Sequence, residues 1–111
     1  MTHQVEGCRG YVLWNSPACH VELWCCGTGV APHRHPGQTV EIVPLWGWGK
    51  FYRLPLMGDS PDLQILTIGP RRWFHAFTVP DGWLHWFSLQ SRRLLFLSIT
   101  TGQSPADNFV K

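Results

Sequence analysis

Apolar residues along the chain fall into short runs, divided at fairly even spacing by turn residues. Residues 11–14, 19–26, 39–45, 50–54, 64–68, 73–79, 83–90 and 94–100 each read as a strand. Between them stand Asn15-Ser16-Pro17, Gly27-Thr28-Gly29, Pro36-Gly37, Gly47-Trp48-Gly49, Gly69-Pro70 and Pro80-Asp81-Gly82, which favour tight turns. The stretch around Asp59 to Asp62 also reads as a surface turn. Eight short strands in 111 residues predict one all-β domain, a sandwich or barrel, with little or no helix. The barrel is expected over about residues 10–101, with a polar, peripheral tail at 103–111. Within 19–26, strict alternation puts His20, Glu22 and Trp24 on one face and Val21, Leu23 and Cys25 on the other. The apolar set is expected to face the core.

Composition supports a packed domain. Hydrophobic residues make up 44% of the chain, which excludes a disordered protein. No apolar run approaches the roughly 18 residues of a membrane helix. The start of the chain lacks a basic region followed by an apolar stretch, so a cytoplasmic location is expected. Nine basic and seven acidic residues leave a formal net charge of only +2. With no basic stripe beside the aromatic residues, a nucleic-acid partner is not expected. Cys8, Cys19, Cys25 and Cys26 form no Cys-x-x-Cys pair and are read as reduced thiols, mostly core filler. Leu94-Leu95-Phe96-Leu97 is apolar on both faces, which suggests a strand covered on both sides and a homodimer.

The chemistry is concentrated in the histidines. His33 and His35 flank one residue, so in an extended segment their imidazoles project to the same side. Glu41 follows on the next strand, where it could return a carboxylate toward the same point. Pro80-Asp81-Gly82-Trp83-Leu84-His85 places a further histidine just after a tight turn. His75 is a candidate acid or base near the mouth, with His20 and Tyr52 weaker candidates of that kind. Trp83 and Phe87 share strand parity with His85, while Trp48 and Phe51 lie close in sequence to the Glu41 strand. These four are candidate substrate-binding residues.

In this order, the motifs resemble those of the cupin superfamily. Gly29, His33, His35, Glu41 and Gly47 or Gly49 match the first cupin motif, and Pro80, Gly82 and His85 match the second without a gap. The resemblance covers about residues 27–90 and implies a jelly-roll barrel of two antiparallel sheets. It also implies that His33, His35, Glu41 and His85 hold one divalent ion. Five residues separate His35 from Glu41, one or two more than the family pattern, and Gln38 is an alternative oxygen donor. Phe74 and Leu89 stand where the family often has glycine and asparagine, and neither change removes a ligand.

Three imidazoles and one oxygen donor suit iron(II), manganese or nickel, with zinc also compatible. The expected activity is that of a small metal-dependent enzyme acting on a small molecule inside the barrel. It would be a dioxygenase, or an isomerase or lyase on a sugar acid or similar polar carbonyl compound. The alternative is a non-catalytic binding module or assembly protein that holds a metabolite.

Overall fold

The computed structural model describes residues 2–55 and 62–102. Residues 59–61 of the turn expected around Asp59 to Asp62, and the tail at 103–111, lie outside the described residues. Ten strands follow in order: β1 Thr2–Val5, β2 Cys8–Asn15, β3 Cys19–Cys26, β4 Val30–His33, β5 Gln38–Trp46, β6 Gly49–Leu54, β7 Gln64–Ile68, β8 Phe77–Val79, β9 Leu84–Leu89 and β10 Leu94–Gly102. No described residue is helical.

The strands form two antiparallel sheets, β1-β2-β3-β10-β5-β8 and β4-β9-β6-β7. Alternation along each strand sends one set of side chains between the sheets. Val40 and Ile42 of β5, Phe51 of β6, Phe87 of β9 and Phe96 of β10 meet there as the core. This is the jelly-roll arrangement expected from the motifs.

Two strands escaped the sequence reading. β1 lies before the first apolar run, and β4 is only Val30–His33 with a proline inside it. Pro32 is tolerated because β4 is an edge strand, where a missing N–H breaks no interior ladder. Residues 73–76, expected as strand, are instead the end of a turn at Trp73 and Phe74 and an irregular link at His75 and Ala76, and only Phe77–Val79 pairs with β5. Phe74 there adopts φ 67°, and its N–H donates to the Pro44 carbonyl at 2.7 Å.

The face assignment of β3 is corrected. His20, Glu22, Trp24 and Cys26 are buried, whereas Val21, Leu23 and Cys25 are only partly covered. The polar pair is accommodated inside because its members bond each other and their neighbours, which offsets the cost of removing them from water.

Cysteine chemistry also differs from expectation. Cys8 and Cys26 stand directly opposite each other on β2 and β3 and are joined by a disulfide, while Cys19 and Cys25 are free. The reading of all four cysteines as reduced thiols is therefore corrected for this pair.

Candidate metal centre

Two tight turns bring the histidines together. In the first, Pro36 and Gly37 are the central residues, Gly37 has φ 79°, and the Gln38 N–H donates to the His35 carbonyl at 3.1 Å. In the second, Asp81 and Gly82 are central, Gly82 has φ 76°, and the Trp83 N–H donates to the Pro80 carbonyl at 3.1 Å. Both turns need a positive φ at their third residue, which glycine supplies without steric cost.

His33 and His85 are register partners on β4 and β9. Between Val30↔Phe87 and His33↔His85 the register shifts, with two residues of β4, Ala31 and Pro32, facing one of β9, Trp86. This bulge returns His33 to the inward side that Val30 already occupies. The ring centroids of His33 and His85 are 4.2 Å apart, and each lies 5.2 Å from that of His35. One donor nitrogen from each falls within 4.8 Å of the other two.

Backbone carbonyls orient two of these rings. His33 Nδ1–H donates to the Ala31 carbonyl at 2.9 Å, and His85 Nδ1–H donates to the Trp83 carbonyl at 3.3 Å. With Nδ1 so engaged, Nε2 carries the lone pair a metal requires. Burial, reinforced by His33 nearby, pushes the His35 imidazole down to about 4. Burial, with His33 and His35 adding to it, pushes His85 down to about 3 against the opposing hydrogen bond to Trp83. Both rings are therefore neutral near pH 7. The donor set fits a divalent ion, since protons offer these two ligands little competition.

The histidines open onto a cavity of about 580 Å³ between the sheets, a size suited to a small molecule. Phe51 and Phe87 line it.

Other expected members lie elsewhere. Glu41 is exposed, because Val40 and Ile42 take the inward positions of β5 and the intervening side chain must point out. The carboxylate therefore does not join the histidines. Gln38 has the inward parity of Val40 and is 1% exposed. His75 is exposed in the link between the turn at Trp73 and Phe74 and β8, away from the cavity lining. Trp48, 40% exposed, packs on the outside against Trp46 and Trp73. Trp83 precedes β9 and packs against the core beneath the Arg53 guanidinium, outside the cavity wall. Tyr52 stacks on Trp86, its neighbour across β6 and β9.

A second polar cluster went largely unread. His3 Nδ1 lies 2.8 Å from Glu22 Oε2, and His20 Nε2 lies 2.7 Å from Glu22 Oε1. Asn15 Oδ1 continues the chain to His20 Nδ1 at 3.2 Å. The available signal was the polar face of β3, where His20 and Glu22 alternate with apolar neighbours. His3 carried no such signal.

No protein-family model matches the chain, and no curated protein sequence matches it. Solved structures do. KdgF from Halomonas sp. superposes with a TM-score of 0.69 at 15% identity, over 93% of this chain and 88% of that one. An uncharacterized conserved protein with a double-stranded β-helix domain from Klebsiella pneumoniae gives 0.65 at 14% identity, over 86% and 77%. The chain has the cupin fold. Bacillus subtilis oxalate decarboxylase, which has Mn(II) centres, matches with a TM-score of 0.72 at 17% identity, over 90% of this chain and 27% of its own.

Proposed function

We propose that this chain is a metal-dependent cupin enzyme acting on a small acid inside the barrel. His33, His35 and His85 hold one divalent ion, and Gln38, beside His35 across the Pro36-Gly37 turn, supplies the oxygen donor in place of Glu41. The observation that carries this reading is the convergence of three imidazole nitrogens within 4.8 Å at the wall of a cavity. The Mn(II) centres of oxalate decarboxylase, on the same fold, agree with it.

The ligand set also narrows the substrate class. Three neutral imidazoles and an amide leave the charge of a divalent ion unbalanced by any ligand, so an anionic group completes the site. When bound, the ion supplies Lewis acidity to a carboxylate or carbonyl oxygen. The protein's own residues orient and enclose. Phe51 and Phe87 press on the body of the ligand, and the carbonyls of Ala31 and Trp83 hold the His33 and His85 rings in place. An isomerase or lyase acting on a sugar acid or similar carbonyl compound fits this chemistry, and the active unit is read as a homodimer.

The test is metal analysis after loading with iron(II), manganese, nickel or zinc in turn and desalting. One retained equivalent, lost in His33→Ala, is expected. Retention of none by the wild-type protein overturns the reading. Sedimentation at micromolar concentration checks the dimer.

A further inference from the structure

Glu22 is completely buried, and both of its carboxylate oxygens are engaged by imidazoles. One of those imidazoles, His3, stands on the wall of the same cavity as His33, His35 and His85. β1 carries it there. This strand pairs with β2 at the edge of the larger sheet, and Thr2, Gln4 and Val5 line the cavity beside it. The turn after β1 is tied to the opposite sheet, where the Ala31 N–H donates to the Glu6 carboxylate at 3.3 Å.

An ionised carboxylate can only accept, so a ring that bonds it does so through an N–H. With Glu22 ionised, His3 donates through Nδ1–H, and the lone pair of that ring resides on Nε2. The contacts of 2.7 and 2.8 Å are those of direct hydrogen bonds. His20 and Asn15 brace the far side of the carboxylate. Gly10 leaves it room, since a Cβ there would stand 2.5 Å from Glu22 Oε2. A carboxylate that orients an imidazole and stabilises its protonated form is the arrangement that makes histidine an effective base.

We infer that His3, held and polarised by Glu22, is the proton-transfer group of the cavity, taking a proton from carbon next to a carbonyl or carboxylate of the bound acid. In this step the substrate C–H bond breaks and an N–H bond forms at His3 Nε2. The electron pair stays on the substrate as an enolate, and a divalent ion held by His33, His35 and His85 would supply the Lewis acidity that stabilises it. Return of the proton to the same or a neighbouring carbon completes an isomerisation, and no oxidant or reductant is consumed. His3 is the catalytic residue and Glu22 its positioning residue. The inference rests on the proposed metal-dependent reading, and its test separates the two.

The probe is pyruvate, whose methyl protons exchange with D2O through an enolate, followed by proton NMR with zinc-loaded protein. Wild-type protein is expected to accelerate exchange above a matched free-zinc control. His3→Gln and Glu22→Gln should each slow it by about a hundredfold while still holding one zinc. Exchange unchanged in His3→Gln, or no acceleration by zinc-loaded wild-type protein, overturns the inference. Failure to retain zinc at all overturns the metal reading instead. A measurement on the wild type alone guards against a variant that does not fold. Ring nitrogen NMR of the zinc-loaded protein should show His3 protonated at Nδ1 and unprotonated at Nε2. Protonation at Nε2, or a second zinc lost in Glu22→Gln, would mean that the cluster is not a base.

Discussion

The Gly37 N–H donates to the Asp81 carboxylate at 2.6 Å, so the turn carrying His35 is tied to the turn that precedes His85. The two loops that carry the proposed ligands are 44 residues apart in sequence, and this bond ties them to each other. Outer-shell bonds of this kind typically carry about 10-fold to 100-fold in metal affinity. Asp81→Ala removes no ligand, yet it is expected to weaken metal binding by about tenfold, read by competition with a chelator of known affinity. An unchanged affinity would show that the loops are held by other contacts.

Glu41 and Gln38 should separate cleanly. Glu41 points to solvent from β5, so Glu41→Gln should leave metal affinity and stoichiometry unaltered. Gln38 shares the inward parity of Val40 and is buried, so Gln38→Ala should lower affinity. The same chelator competition reads both variants. The opposite order of effects would require β5 to turn over in solution.

The spacing of the motifs in the sequence already contained this ambiguity. His33, His35 and His85 are legible because a His-x-His pair and a Pro-x-Gly-x-x-His turn each specify local geometry. Glu41 was misplaced because a period-two strand flips a side chain with every residue, and the register of β5 is set by its pairing with β10 and β8. Those partners are distant in sequence. The same blindness reversed the faces of β3. Alternation showed two faces, but only the chain Asn15–His20–Glu22–His3 explains why the polar one can be buried. Most strands were readable from their turns, whereas β1 and β4 depend on tertiary pairing rather than local pattern.

Acid should destabilise the metal-free protein across a defined window. The folded-state values of His35 and His85 are lowered to about 4 and about 3 from an ordinary 6.5. Between those values and 6.5 the unfolded chain binds more protons than the folded one, so stability rises with pH there. It is complete above about pH 6.5 and falls progressively as the pH drops toward 4 for His35 and toward 3 for His85. Urea midpoints measured from pH 7 to pH 3.5 should decline, and they should decline less in a protein carrying both His35→Gln and His85→Gln. Parallel curves would show that other groups govern acid unfolding.

Reduction should weaken the barrel at β2 and β3. The Cys8–Cys26 disulfide closes a loop with a sequence separation of 18 across two directly paired strands. Constraining the unfolded chain over a loop of this length is worth about 3 kcal/mol. Cys8→Ala/Cys26→Ala should therefore lose about 2–4 kcal/mol in denaturant unfolding, and reductant should lower the melting temperature of the wild type but not that of the double variant. Both cysteines also line the cavity, so the variant should be compared for metal retention as well. Because the proposed ligands stand on β4, β9 and the turn before β5, retention is expected to survive the loss of the disulfide even as stability falls.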